Sequence, residues 1–175
     1  SVKGSIIGQG GRNIAAFERN TGVEMEIEEG NSLRLSSFDS LRREIARRSL
    51  EVLIRDGRIT PTRIEEVVAH TQKQMDLVLL DEGKKICAAC NVFNLDIELI
   101  KIIGRYRFRF SYGQNLGIHT IEETKIGVQI ARELNLSEEE VQHVRLGCLV
   151  HDIGKVITEE EGTHVQLGVE LLKKY

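Results

Sequence analysis

The stretch VHDIGK, residues 150–155, decides how the second half of the chain is interpreted. Its His151 and Asp152 are adjacent at the end of a helical pattern. Such a pair can ligate one metal centre, the His through a ring nitrogen and the Asp through its carboxylate oxygens. A His-Asp pair alone is common in proteins and is a weak signal. Its meaning therefore depends on the helices around it.

Three helical patterns each place a histidine at the end of an apolar stripe. The predicted stripes are Val141-Val144-Cys148 before His151, Ile126-Ile130-Leu134 after His119, and Leu167-Gly168-Leu171 after His164. A single histidine on an apolar face is usually a core residue with its hydrogen bonds satisfied. Three of them converging beside a carboxylate favour a metal, because buried imidazoles are costly without a metal or charge partner. We therefore expect His119, His151, Asp152 and His164 to meet in one cluster.

The beginning of the chain reads as helix, glycine turn, helix, with Gly8-Gln9-Gly10-Gly11 as the turn and Arg12 beside it. Glycines there let the backbone approach a phosphate, and the free amides that open the second helix favour an anion. Gly8, Gln9, Gly10, Gly11 and Arg12 are therefore candidate RNA-binding residues. The motif is weak by itself, and a plain tight turn stays an open alternative.

A hairpin and an amphipathic helix follow the glycine turn. Residues 23–28 (VEMEIE) alternate apolar and acidic side chains, as in a half-buried strand, and residues 33–36 (LRLS) pair back after a turn. The strand's carboxylates would repel a phosphodiester, so we expect them to point away from any nucleic acid. Asp39 or Ser40 caps the next helix. Its predicted inner face is Leu41, Ile45, Ser49, Val52 and Leu53.

The rest of the chain is predicted to be helical. Residues 61–86 form one long polar helix with a thin apolar seam, used for packing on its own domain or for contact with a partner helix. Further helices are expected over 96–103, 119–134 and 138–150, the last behind a Ser137…Glu140 capping box, and from Thr163 onward.

Two shorter segments can be interpreted either as purely structural or as functional. Residues 105–112 (RYRFRFSY) alternate basic and aromatic side chains and run toward His119. They either contact a nucleic-acid strand or form an extended segment with the aromatic rings inward and the arginines in water. Cys87 and Cys90 have metal-like spacing but no second pair, so we interpret them as small apolar residues.

Composition excludes several classes of protein. The chain has 175 residues, a net charge of −3, 41% hydrophobic residues, three Cys and one Pro. This net charge is not typical of a nucleic-acid-binding protein, so binding of nucleic acid must rest on local basic patches. Three Cys fit a reducing compartment better than a disulfide framework. No apolar run approaches the roughly 18–20 residues of a spanning helix, and we expect a soluble chain without membrane contact.

Several longer segments resemble known families. His119, then His151-Asp152 with a following Gly-Lys, then His164 is similar to the ligand order of HD-superfamily phosphohydrolases. Four longer segments restrict the resemblance to one family within this superfamily. They are SYGQNLGIHTIE (111–122), LVHDIGKVITEEEGTHVQLGVEL (149–171), KGSIIGQGGRNIAAFERNTGVE (3–24) and FDSLRREIAR (38–47). Together they resemble the ribonuclease Y family of bacterial endoribonucleases, over nearly the whole chain and in the same order.

The resemblance implies a mainly α fold in three parts. These are a truncated type I KH domain of α+β structure (1–59), a long connecting helix (60–92), and the N-terminal part of an all-α HD metal-dependent phosphohydrolase domain (93–175). It also implies endonucleolytic cleavage of single-stranded RNA that initiates messenger RNA decay. A divalent metal ion (Mn, Mg, Zn or Fe) would be held by His119, His151 and Asp152, with His164 near a second metal position. Asp152 and Lys155 would be the catalytic residues, with Lys155 on the phosphate side.

Departures from the family pattern shape the remaining expectations. The first KH strand and the final Asp ligand of the HD site are not found, so we expect a fragment with an incomplete metal site and little activity of its own. The parent is expected to be a homo-oligomer, anchored at the cytoplasmic side of the membrane, with RNA and RNA-degradation proteins as partners. Two rival hypotheses stay open. One is an HD phosphohydrolase acting on nucleotides or cyclic dinucleotides, and the other is a non-catalytic RNA-binding scaffold.

Overall fold

The structure is a computed structural model that describes residues 2–30, 32–158 and 161–175. The chain divides into two compact units, Ser1–Met75 and Asp76–Tyr175, and the division falls within one helix. The predicted mainly α fold is confirmed, because helices dominate and the strands form only two-stranded sheets. The predicted limits 1–59, 60–92 and 93–175 remain a prediction.

The first unit has the predicted order of elements. These are α1 (Val2–Ile7), a 3-10 turn (Gln9–Gly11), α2 (Arg12–Thr21), β1 (Glu24–Ile27), β2 (Leu33–Ser36), α3 (Ser40–Asp56) and the first part of α4 (Pro61–Ala89). β1 and β2 pair antiparallel, with Glu24 opposite Ser36 and Ile27 opposite Leu33. The predicted hairpin is therefore present.

Local signals set the ends of α3. The Asp39 side chain accepts hydrogen bonds from the amides of Leu41 and Arg42, so Asp39 is the N-cap. Gly57 ends the helix with a φ of 70°, a left-handed conformation that glycine adopts at little cost. The predicted inner face was partly wrong. Ala46 and Leu50 are buried whereas Val52 is 40% exposed, because the helix turns a neighbouring face toward the core.

The core of the first unit lies between its helices and the hairpin. It is built from buried apolar residues of α1, α2, β1, α3 and the start of α4, with Val23 just before β1. They are Ile6, Ala16, Phe17, Val23, Met25, Ala46, Leu50, Leu53, Ile64, Val67 and Val68. In β1 the Met25 side chain is buried while Glu24 and Glu26 are exposed. The strand's alternation therefore places its carboxylates on the solvent side, and Arg34 pairs with Glu26 and Glu28 there.

The second unit is a set of short helices closed by a small hairpin. After α4 come α5 (Ile97–Gly104), a 3-10 turn (Arg105–Phe108), β3 (Phe110–Ser111), β4 (Gln114–Asn115), α6 (Leu116–Glu133), α7 (Glu138–Val150), a 3-10 turn (Ile153–Val156) and α8 (His164–Leu172). The Ser137…Glu140 capping box opens α7 as predicted, and Thr163 with Gln166 forms a second one at α8. Within the described ranges, no helix combines the length and apolar character that crossing a membrane requires.

One predicted stripe was wrong and one segment differs in conformation. Ile126, Ile130 and Leu134 are 60%, 52% and 67% exposed, because α6 turns a face of smaller residues toward its neighbours. That inner face consists of Leu116, Gly117, Thr120, Thr124, Val128 and Ala131. The basic-aromatic segment 105–112 is a 3-10 turn and a two-residue strand rather than one extended strand.

Candidate metal centre and nucleic-acid turn

The candidate metal centre is built where α6 begins and α7 ends. Asn115 is the N-cap of α6, since its Oδ1 atom accepts hydrogen bonds from the amides of Gly117 and Ile118. Its Nδ2 group donates to the carbonyl of Arg107, 2.7 Å away. The cap therefore ties the start of α6 to the preceding 3-10 turn and positions the first turn of the helix, which carries His119.

Three side chains converge at this point. They are His119 and Glu123 of α6 and His151 at the end of α7, and one ligand atom from each lies within 4.8 Å of the others. The Oε2 atom of Glu123 is 3.1 Å from Nε2 of His119 and 3.1 Å from Nε2 of His151. The two imidazole rings stand at 62° with centroids 6.0 Å apart. The arrangement directs both Nε2 atoms at one carboxylate oxygen.

The tautomer of His151 follows from its other nitrogen. Nδ1 lies 2.8 Å from the carbonyl oxygen of Cys148, one turn earlier in α7. A carbonyl only accepts hydrogen bonds, so Nδ1 carries the hydrogen, and Nε2 of the neutral ring presents a lone pair to Glu123. A backbone acceptor on the far nitrogen is the usual way in which a metal-binding histidine is oriented.

Glu123 shows that the site fits a cation. Its Oε2 atom is buried and, among the described residues, has no hydrogen-bond partner, although two imidazole nitrogens lie 3.1 Å away. A buried carboxylate oxygen without a donor is costly, and it faces the lone pair of His151. A divalent ion among the three ligand atoms would satisfy all of them. Imidazole and carboxylate ligands suit Mn, Fe, Zn or Mg.

Asp152 and Lys155 lie on the flank of this cluster. Asp152 is 7% exposed, and its Oδ2 atom lies 2.6 Å from the Lys155 ammonium and 3.3 Å from Nε2 of His151. The Asp152 carboxylate is thus within reach of the cluster and already neutralised by Lys155. Nearby, burial and then the charge of Asp152 raise the pKa of Tyr106, whose hydroxyl donates to the Leu149 carbonyl.

The structure brings together three of the four predicted ligands. His119 and His151 share the cluster and Asp152 adjoins it, whereas His164 is exposed at the start of α8 and is not part of the cluster. The backbone of His164 nevertheless packs against Gly154, where an added Cβ atom would lie 1.7 Å from the His164 carbonyl oxygen. The metal-binding role of these residues stays a prediction.

Glu123 was missed by the sequence analysis. Its signal was its position four residues after His119, which places both side chains on one face of α6. The same spacing is common for ion pairs on exposed helices, so it is informative only once His151 is known to lie opposite.

The second predicted site is the glycine turn between α1 and α2. Gly8, Gly10 and Gly11 all have positive φ values, of 70°, 65° and 74°, which explains the choice of glycine. Gln9 and Arg12 are exposed. The turn therefore presents a short stretch of backbone without side chains, with Arg12 beside it.

Asn13 holds this turn in place and was also missed. It is 3% exposed, and its Nδ2 group donates to the carbonyls of Ser5 (2.8 Å) and Ile59 (2.9 Å). A Cβ atom on Gly8 would come within 2.7 Å of the Asn13 side chain, so glycine is required there for space as well as for conformation. Buried amides with two backbone partners have no simple sequence signature.

A cavity of about 500 Å³ opens beside the turn, and its charge suits an anion. Gly8 and Arg12 line it together with Arg58 and Arg63. Arg58 and Arg63 share the carboxylate of Asp56, at 3.2 and 2.9 Å, and Arg63 also pairs with Glu66 at 3.2 Å. The charged residues that line the cavity itself are all arginines. A positive groove next to an exposed backbone turn can hold a phosphate.

The other predicted candidates have clear positions. Cys87 and Cys90 are buried in an apolar cluster at the end of α4, and burial raises the pKa of the Cys87 thiol to about 11. In the basic-aromatic segment, Tyr106 is fully buried whereas Phe110 and Tyr112 are exposed. The rings therefore do not all point inward, and contact of this segment with a nucleic acid stays open.

Two models of known families match separate parts of the chain. Residues 1–49 match the family model of the KH domain, and residues 116–175 match that of the HD domain. Curated proteins named Ribonuclease Y match nearly the whole chain. Over 99% of its length the chain is similar to ribonuclease Y proteins. The HD match includes every predicted metal ligand and Glu123, and the KH match includes the whole glycine turn.

The ribonuclease Y relatives come from different bacteria. The protein of Finegoldia magna is 48% identical, that of Enterococcus faecalis 47% and that of Fervidobacterium nodosum 43%, each over 99% of this chain. The aligned region covers 34%, 33% and 34% of those proteins, so the chain spans about a third of their length. No solved structure matched the chain.

Proposed function

We propose that the chain takes part in endonucleolytic, metal-dependent hydrolysis of single-stranded RNA, and that the natural protein initiates messenger RNA decay. One observation carries the proposal. The buried Oε2 atom of Glu123 faces two imidazole nitrogens without a hydrogen-bond partner, in a chain that also has a KH domain. The names of the relatives and the HD match support the same conclusion.

The residues of the metal centre would have different roles. His119, Glu123 and His151 would hold the divalent ion, with Asp152 adding a ligand if its carboxylate turns from Lys155. When bound, the ion would supply Lewis-acid activation of a phosphodiester and of water. Lys155 lies 2.6 Å from Asp152 and would donate to a phosphate oxygen in which negative charge develops. The hydrogen bond from His151 to Cys148 would keep Nε2 directed at the ion.

The KH segment would hold the RNA strand. The Gly8–Gly11 turn would accept a phosphate against its backbone, and Arg12 would add charge beside it. Binding at this turn and hydrolysis at the metal centre use different residues, so single substitutions should separate them.

The test is an Asp152→Ala variant of the natural protein, assayed on a labelled single-stranded RNA with Mn²⁺. We expect cleavage to fall at least a hundredfold while RNA affinity changes less than twofold. Normal cleavage by the variant would refute the metal-centre proposal. If the unaltered protein hydrolysed a cyclic dinucleotide but left RNA intact, the rival nucleotide phosphohydrolase would replace it. If RNA bound but nothing was cleaved, the chain would be a scaffold.

A further inference from the structure

A cavity of about 670 Å³ lies in the second unit, between the end of α4 and one face of α6 and α7. It is distinct from the metal centre, because none of its lining residues is His119, Glu123 or His151. The side chains that matter are Asn91, Lys125, Gln129, Arg132, Glu133 and Arg145. The functional proposal above makes no use of it.

Arg145 is the reason to expect a ligand. This residue of α7 is 8% exposed, and its Nη1 group donates to the Cys90 carbonyl at 2.9 Å. That bond uses one of five N–H donors. The Nε group is buried without a partner, and among the described residues no carboxylate pairs with the guanidinium. A buried cation with one neutral partner is costly, so this position favours a bound anion.

The surroundings add positive charge. Lys125 and Arg132 are exposed on α6 at the same cavity and form no ion pair with any residue that the structure describes. The only carboxylate among the lining residues is Glu133, and it accepts a hydrogen bond from Gln129, 3.1 Å away. Three cationic groups therefore face one carboxylate, in a chain whose net charge is −3. This local excess favours a ligand with two negative charges.

The size and the remaining donors narrow the ligand class. Pockets for small molecules typically have volumes of about 300–1,000 Å³, so the volume of this cavity is larger than a lone phosphate requires. The amides of Asn91 and Gln129 both donate and accept, as recognition of a heterocyclic base requires. We propose that this cavity is a binding site for a nucleoside monophosphate, with the phosphate at Arg145 and the nucleoside toward the amides.

The test measures binding rather than cleavage. Calorimetric titrations in EDTA at constant ionic strength would compare AMP, inorganic phosphate and adenosine on the full chain. We expect AMP to bind at least tenfold more tightly than phosphate, with no measurable binding of adenosine. Failure of AMP to bind would overturn the proposal. Equal binding of adenosine would overturn the role of the phosphate, and binding of phosphate alone would overturn the assignment to a nucleotide.

Matched charge reversals locate the site. Arg145→Met removes the buried cation, but it also removes the hydrogen bond to the Cys90 carbonyl. Loss of AMP binding by this variant would therefore not locate the site by itself. Arg132→Glu changes an exposed lining residue and should weaken AMP at least tenfold. Lys84→Glu makes a similar charge change at an exposed position of α4 outside the cavity and should alter affinity less than twofold.

Equal effects of Arg132→Glu and Lys84→Glu would overturn the location. An Asp152→Ala chain should bind AMP normally, and loss of binding there would assign the nucleotide to the metal centre instead. This result does not depend on whether RNA is the substrate, so the two proposals fail separately.

Discussion

Nε2 of His151 lies 3.1 Å from Oε2 of Glu123, although the two residues belong to different helices. Because Nδ1 of the same ring faces the Cys148 carbonyl, a neutral His151 presents a lone pair toward a buried carboxylate oxygen without a donor. Two electron-rich atoms at this distance are stabilised by a cation between them. Substitution of either residue therefore tests the candidate metal centre directly.

Replacing Glu123 should weaken the centre. Glu123→Gln keeps the shape of the side chain but removes its charge. Loss of a group that only orients a ligand costs about 10–100-fold in metal affinity, so we expect Mn²⁺ affinity to fall at least that much when a ligand itself is neutralised. The measurement is the free Mn²⁺ signal in electron paramagnetic resonance titrations. Glu122→Gln, at the exposed neighbouring position, is the control and should leave the titration unchanged. Identical curves for the two variants would exclude Glu123 as a ligand.

Acidic substitutions in the glycine turn should weaken RNA binding. Gln9→Asp combined with Gly10→Asp places two carboxylates where a phosphate is expected, and Asp tolerates the positive φ of position 10 better than most residues. We expect single-stranded RNA affinity to fall at least tenfold, about 1.4 kcal/mol, measured by fluorescence anisotropy.

The control for that experiment is Gln72→Asp with Gln74→Asp, which adds the same charge at exposed positions of α4. Circular dichroism would show that both double variants fold. An unchanged affinity of the turn variant, or an equal loss in the control, would remove the role of the turn.

Gly154 should be intolerant of a side chain. A Cβ atom there would lie 1.7 Å from the His164 carbonyl oxygen and 2.8 Å from the Gly168 amide nitrogen, both of them backbone atoms. We expect Gly154→Ala to lower the free energy of unfolding by more than about 2 kcal/mol, because the start of α8 must move. Urea unfolding would measure this.

Gly147→Ala is the matched control, since nothing lies within 4 Å of a Cβ atom at that position of α7. Alanine is the better helix former by about 1 kcal/mol, so this variant should be neutral or more stable. Equal destabilisation by the two substitutions would show that α8 does not pack closely on residue 154.

Cys87 should make stability fall at high pH. Burial, followed by the charge of Cys90, raises the pKa of the Cys87 thiol from 9.0 to about 11. Between these values the unfolded chain loses a proton that the folded chain keeps, so the free energy of unfolding decreases as pH rises. Cys87→Ala should reduce this decrease between pH 9 and 11. Unfolding curves with the same pH dependence in both proteins would contradict it.

Local signals predicted most of the fold. The cap at Asp39 or Ser40, the Ser137 cap and the alternation of residues 23–28 act through neighbours in sequence. Each appears where it was expected, with Asp39 as the cap of its helix. The face that a helix buries is different. The stripe of Ile126, Ile130 and Leu134 was predicted to lie inward, yet these side chains are exposed because the packing partners of α6 select its other face.

For the candidate site, the sequence by itself determined the chemistry of the ligands but not the complete set. His151 and Asp152 are adjacent, and His119 heads a helix, so their types and order could be recognised directly. Tertiary structure alone decided that Glu123 faces His151 and that the His164 side chain stays outside the cluster. Helix periodicity specifies the direction in which each side chain points around the helix axis. The distance between side chains on two helices depends instead on how those helices pack.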